Sequence, residues 1–317
     1  MTQQFRDGKR TSRRLASNND GPSLQSRIIV GLLRLLPIKK RMASAAVVQE
    51  QVRRLALWPA SYGPTGLGRG VEVTRKDVAG WPVYHTAPSA HHDVSKIVVF
   101  LHGGGYINEI VRAHWRIVGM LTREAGVRCV VPIYPLAPHA TARDVVPAMG
   151  ELLRRFVEDA GPAKITVVGN SAGAALGLAA TQWLRDHGYR QPHGLVLISP
   201  GGDFSIGRPQ QVAIAERDPI NDIPGAREAG RLYAGDLDVT HPYVSPLNGD
   251  FRRLPPMILF SGTLDLFYPD CIDLAAKARA AGVSVELHLE QDQPHNYAGM
   301  PTPEGRQARA IILRAVA

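Results

Sequence analysis

Cysteine is nearly absent: Cys129 and Cys271 are the only two in 317 residues. Both sit in apolar surroundings, and no Cys/His pair has zinc-ligand spacing. A disulfide framework and a zinc site are therefore excluded, and the thiols read as packed side chains of a reducing compartment. No run approaches the 18 uninterrupted apolar residues of a membrane-spanning helix. No cleavable leader is expected, because the first apolar run begins late, contains Arg34 and is followed by no small-residue cleavage site. Repeats and low-complexity blocks are absent. Acidic residues are scarce in one region only: residues 1–54 hold 12 Lys/Arg against 3 Asp/Glu, which accounts for the whole formal charge of +9. The rest of the chain carries 25 of each sign and is neutral, so the body lacks the basic face that a nucleic-acid partner requires.

Hydrophobic residues make up 44% and charged residues 21%, the composition of a globular protein whose length suits one large α/β domain with an insertion. Residues 1–22 are polar and aperiodic, and read as a disordered basic tail. The segment 23–69 reads as an N-terminal helical cap, beginning with an apolar helix candidate over 24–41 that Pro37 should kink or end. Arg27, Arg34 and Arg41 recur every seven residues, which would keep them on one stripe. Two readings of this helix stay open: a cap packed over the body, or a helix lying on an anionic membrane surface. The expected location is the cytoplasm, with peripheral membrane contact through residues 24–41.

From residue 70 to 317 the pattern alternates between short apolar runs and helical stretches. Val71–Val73 and Trp81–Tyr84 flank a turn at Asp77–Gly80 and read as a hairpin. Ile97–Leu101, Arg128–Tyr134, Ile165–Val168, Gly194–Ser199, Met257–Ser261 and Val283–Leu289 read as buried strands. Helical stretches fall at Trp115–Glu124, Ala142–Asp159, Ala172–His187, Pro269–Ala281 and Glu304–Val316. This alternation predicts an α/β fold with a mostly parallel sheet flanked by helices. The strandless stretch 202–237 reads as a cap insertion.

Gly169-Asn170-Ser171-Ala172-Gly173 stands between a strand and a small-residue helix, the setting of a sharp turn that lifts a serine hydroxyl off the sheet. A side chain at either outer glycine would strike the neighbouring helix or strand. His102-Gly103-Gly104-Gly105 follows the strand Ile97–Leu101. The amides of Gly104, Gly105 and Ala172 are the expected donors to an oxyanion, with His102 orienting the loop. A serine hydroxyl needs a base, and the base an orienting acid, in the chain order Ser, acid, His. His295, in a loop after the last strand, is the candidate base, ahead of His187, His193, His241 and His288. Asp265, at a strand end, is the candidate acid. Asp270 is its rival at a helix start, and Asp203 is expected to tie down a loop.

Taken together, His102–Gly105, Gly169–Gly173, Asp265 and Pro294-His295 resemble the hormone-sensitive lipase family of α/β-hydrolases. The resemblance extends through Tyr134–Pro138, Arg217–Pro219, Ser245–Leu247 and Ala280–Val283, over roughly residues 70–315. Gly105–Ile110, His114-Trp115 and Pro132–Leu136 are similar to its steryl acetyl hydrolase branch. The resemblance implies an eight-stranded sheet under a cap, and activity on small to medium acyl esters without cofactor or metal. Two positions depart from the family pattern. Asn170 stands where Asp is usual, and His139 where Glu usually follows the Ala-Pro pair.

The mechanism these residues imply is acyl transfer. Ser171 attacks an ester carbonyl, His295 takes its proton, Asp265 holds the imidazole, and water releases the acyl group. Lactone or amide hydrolysis by the same residues, and a lipid-phase lipase or steryl acetate deacetylase, are the alternatives. A non-catalytic receptor on this fold would be set apart by failing to react with a fluorophosphonate. The expected partner is a small-molecule ester, with no nucleic acid.

Overall fold

The computed structural model describes residues 21–89, 95–161 and 164–317. All but the last two residues of the tail expected over 1–22 lie outside the described residues. Eight strands form one sheet: β1 (Val71–Val78), β2 (Trp81–Pro88), β3 (Lys96–Leu101), β4 (Arg128–Pro132), β5 (Lys164–Asn170), β6 (Gly194–Ile198), β7 (Met257–Gly262) and β8 (Val285–Glu290). Their order is β1-β2-β4-β3-β5-β6-β7-β8. The first two and the β2–β4 pair run antiparallel, and every other pair is parallel. The β1–β2 hairpin closes on Ala79-Gly80, both with positive φ (52° and 82°), as a two-residue turn matched to strand twist requires.

Continuous apolar runs mark the strands because both sheet faces are covered. Alternate residues feed two cores. Val99, Leu101 and Val167 pack with Met149, Leu152 and Leu176 of α4 (Ala142–Asp159) and α5 (Ala172–Asp186), and with Leu274 of α8 (Tyr268–Ala280). Val98, Phe100 and Val168 pack on the other side with Trp115 and Val118 of α3 (Arg112–Glu124) and Ile312 of α9 (Pro303–Val316). Most strand and helix spans match those expected to within a few residues, but the first hairpin is longer, its strands reaching Val78 and Pro88 and taking Asp77 and Val78 out of the expected turn. The fourth strand stops at Pro132, short of Tyr134, and the last begins at Val285 instead of Val283.

The apolar run of 24–41 divides. Helix α1 (Leu24–Leu35) stops before Pro37, and Lys39–Met42 forms a separate 3₁₀ turn. Arg41 therefore does not continue the stripe of Arg27 and Arg34, which corrects the seven-residue reading. A second helix, α2 (Ala45–Leu57), follows behind the N-cap Ser44. The stretch 202–237 holds α6 (Pro209–Ala215) and α7 (Ile223–Ala234). Gln49 of α2 donates to Glu228 of α7 at 2.8 Å, and the Met42 backbone lies where a Cβ on Gly225 would be. The N-terminal helices and the insertion thus pack on each other. Ala229 of α7 lies 3.7 Å from where a Cβ on Gly105 would stand, which sets the insertion over the His102–Gly105 loop.

Candidate active site

The C-terminal ends of β3, β5, β7 and β8 converge on one edge of the sheet, where open parallel sheets hold their ligands. Between β5 and α5, Ser171 takes φ 54° and its amide donates to the Ile198 carbonyl at 2.8 Å. The chain turns so tightly here that a Cβ on Gly169 would lie 2.5 Å from the Gly173 carbonyl oxygen. One on Gly173 would lie 2.2 Å from that of Leu101. Glycine is the residue that allows both approaches.

Beyond β8, the loop turns through Asn296, whose φ is 60° and whose amide donates to Ser199 Oγ at 2.9 Å. That turn aims His295 at the serine. His295 Nε2 lies 2.8 Å from Ser171 Oγ, and Nδ1 lies 2.9 Å from Asp265 Oδ1. Asp265 is fully buried and His295 is 4% exposed. The Phe267 amide donates to Asp265 at 3.0 Å. Burial opposes the imidazolium, but the Asp265 carboxylate, its hydrogen bond and the charge of Asp218 outweigh it and hold the His295 pKa above the usual histidine value. Burial likewise opposes the Asp265 carboxylate, and the facing imidazole and the Phe267 amide hold its pKa below the carboxylate range.

Asp270 lies elsewhere: it accepts from the Gly202 and Asp203 amides and from Gln211, and pairs with Arg208. Asp203 accepts from the Ser205 amide at 2.9 Å and ties its loop. His288 pairs with Glu286, and His187 Nδ1 lies 2.8 Å from the Trp183 carbonyl oxygen, so neither faces the serine.

On the other side of Ser171 the His102–Gly105 loop leaves β3. Asn170 Oδ1 accepts from the Gly103 amide at 3.0 Å, its Nδ2 lies 3.3 Å from His114 Nε2, and the Tyr134 hydroxyl donates to the His102 carbonyl at 2.7 Å. His102 stacks on Tyr134 with ring centroids 4.3 Å apart. Burial pushes its pKa down to about 3 and that of His114 to about 4, so both are neutral. Gly104 and Gly105 take φ 129° and 62°, and among the described residues their amides have no acceptor. Ala172 opens α5, where the first amides of a helix have no partner within it. A base–serine pair flanked by such donors can take a proton from an alcohol and bind the oxyanion formed when that alcohol attacks a carbonyl.

A model of the α/β-hydrolase fold matches residues 98–299. The triacylglycerol lipase of Mycobacterium tuberculosis is 32% identical over 232 residues, which is 73% of this chain and 48% of the lipase. The chain thus spans about half the length of that relative. The acetyl-hydrolase of Streptomyces hygroscopicus is 30% identical over 219 residues, 67% of this chain and 72% of the relative. A hormone-sensitive lipase from a metagenome library superposes with a TM-score of 0.77 at 26% identity, over 94% of this chain and 98% of the other. The chain belongs to the hormone-sensitive lipase family of α/β-hydrolases.

Two features of this hydrolase have roles that no motif reveals. Asp218, in the insertion, is 1% exposed. It accepts from the Leu266 amide at 2.9 Å and from the Ile220 and Asn221 amides at 2.7 and 3.0 Å, which ties the insertion to the residue after Asp265. Burial and the neighbouring Asp265 push its pKa up to about 6. Arg217-Asp218-Pro219 was visible as part of the family resemblance, but no spacing signals what Asp218 holds. Gln293, two residues before His295, is fully buried and accepts from Ser26 Oγ of α1 at 3.1 Å. No sequence signal connects residues 267 apart.

Proposed function

We propose that this chain is a serine carboxylesterase acting on small-to-medium acyl esters, acetyl foremost, through an acyl-enzyme on Ser171. The observation that carries the reading is the unbroken line Ser171–His295–Asp265, at 2.8 and 2.9 Å, beside the Gly104 and Gly105 amides, which have no acceptor among the described residues. His295 takes the Ser171 proton as Oγ attacks the ester carbonyl. Gly104, Gly105 and Ala172 donate to the oxyanion, and Asp265 stabilises the imidazolium. His295 then protonates the leaving alcohol, and a water activated by the same imidazole releases the acid. No cofactor enters any step.

The acetyl preference draws support from a row of buried rings beside the site. Phe267 lies 5.8 Å from the His295 ring, Phe204 5.7 Å from Phe267, Tyr106 5.6 Å from Phe204, and Tyr233 stacks on Tyr106 at 3.5 Å. Rings packed this closely leave little room for a long acyl chain. A second reading, hydrolysis of an acetylated lipid such as a sterol ester, is favoured by the exposed apolar side chains of α1, which suit a lipid-phase substrate.

The test is a p-nitrophenyl ester series from acetate to palmitate, on the wild type and Ser171→Ala in parallel. Short chains should be hydrolysed fastest, and the variant should lose about 10⁶ in kcat, as removal of a serine nucleophile does. Turnover by the variant near the wild-type rate would refute the acyl-enzyme. A palmitate optimum would refute the acetyl preference.

A further inference from the structure

Helix α1 is apolar on two sides. At 100° per residue, Leu24, Ile28, Leu32 and Leu35 fall within a sector of about 80°, while Ser26, Val30 and Leu33 lie opposite. The second group faces the body: Ser26 and Val30 are buried, and Ser26 bonds to Gln293 and Glu304. The first group faces outward. Leu24, Ile28, Leu32 and Leu35 are 70%, 53%, 54% and 83% exposed, and Leu36 just beyond the helix is 52% exposed. A surface helix ordinarily turns a polar face to water, and a contiguous exposed apolar stripe marks a contact site.

Charge indicates what makes that contact. Arg27 and Arg34 border one side of the stripe, and Lys40 and Arg41 follow it. All four are exposed, and none has a carboxylate partner among the described residues. From residue 21 to residue 49 there is no Asp or Glu. Apolar side chains bordered by exposed cations, with no acid between them in the sequence, complement a layer of anionic headgroups over hydrocarbon. At the end of α2, Leu57 and Trp58 are a further exposed pair, 69% and 71%. An aromatic ring at such a rim suits the headgroup level.

We propose that α1 docks this hydrolase on an anionic lipid surface, with Leu24, Ile28, Leu32 and Leu35 entering the hydrocarbon boundary and Arg27 and Arg34 at the headgroups. The docking face is tied to the site. Ser26, on the back of α1, holds Gln293 beside His295, and Gln51 of α2 donates to Asn108 of the Gly104–Asn108 turn at 2.5 Å. A lipid surface would therefore lie against helices bonded to the loops that carry His295 and Gly104. The proposal is independent of the esterase reading, because binding can be read without turnover.

The experiment is sedimentation of the full chain carrying Ser171→Ala with vesicles of phosphatidylglycerol and phosphatidylcholine, against phosphatidylcholine alone, at low and high salt. Binding to the anionic vesicles, weakened by salt, is expected. Arg27→Gln and Arg34→Gln should each weaken it about fivefold, the worth of one cation near such a surface. Ile28→Asp with Leu32→Asp should abolish it. The same substitutions on the active background should leave p-nitrophenyl acetate turnover unchanged, which shows that the fold is intact. Absence of binding to anionic vesicles at low salt overturns the proposal. So does equal binding to both vesicle types. A dimer that Leu32→Asp dissolves, in a chain that ignores vesicles, assigns the stripe to a second copy instead.

Discussion

The sheet edge around His295 and the N-terminal segment over it are held in opposite ways. At the edge, polar groups are buried and multiply bonded: Asp265 meets His295 and the Phe267 amide, and Asp218 collects three amides. The segment from α1 to α2 packs Val48 into the core with Met42 and Val52 against it, and its polar ties are few, chiefly Ser23 and Ser26 on Glu304, Ser26 on Gln293, Gln49 on Glu228 and Gln51 on Asn108, while much of the apolar surface of α1 faces outward. The edge has to fix hydrogens to within tenths of an ångström, and buried amides do this because leaving one unpaired costs about 1–3 kcal/mol. The N-terminal segment has only to stay in place, and apolar packing with a handful of side-chain bonds is enough.

The contrast predicts that equal changes have unequal effects in the two regions. Asp265→Asn should be the most damaging. It keeps the shape but removes the charge and favours the wrong imidazole tautomer, and kcat should fall about 10⁴-fold with the fold intact by circular dichroism. A fall of less than tenfold would mean that another carboxylate orients His295.

Asp218→Asn should be milder and should show in the pH profile. In the proposed reaction His295 must be neutral to act as base, so activity should be lost as pH falls through its pKa. Asp218 contributes to raising that pKa. Removing its charge should shift the acidic limb of kcat/KM to lower pH, while the misplaced amide near Leu266 lowers kcat about tenfold. A lower melting temperature with an unmoved acidic limb would reduce Asp218 to a structural tie.

Ser26→Ala should have the smallest catalytic effect. It leaves Gln293 and Glu304 short of one donor, so stability should drop by about 1–3 kcal/mol in urea titration, with kcat within twofold of wild type. A large loss of kcat would show that the segment tunes His295 directly.

The two regions also differed in how far the sequence revealed them. The strands around the site were legible because a run such as Ile97–Leu101 is apolar throughout only when both sheet faces are covered. Ser171, Asp265 and His295 were legible because a glycine-framed elbow, a strand end and a terminal loop follow in a fixed chain order. Asp218 was legible as part of a motif but not as a tie, since its partner Leu266 lies 48 residues away and the bond is to backbone. The N-terminal helix was legible as apolar, but its end was not. Pro37 allowed either a kink or a stop, and the stop at Leu35 removes Arg41 from the stripe. That Ser26 faces inward and Leu32 outward depends on docking against α9, which periodicity alone cannot assign.

The bonds to Glu304 also bear on how this hydrolase could be re-engineered. Its carboxylate accepts from the Ser23 amide at 2.6 Å and from the Ser23 and Ser26 hydroxyls at 2.9 and 2.7 Å. These bonds hold its pKa low against burial. The N-terminal segment is therefore not a detachable accessory. Replacing it with the cap of a relative, matched for helix length alone, would strand a buried anion at the start of α9, fewer than ten residues from His295. A workable graft must bring the two serines with it or change Glu304 at the same time.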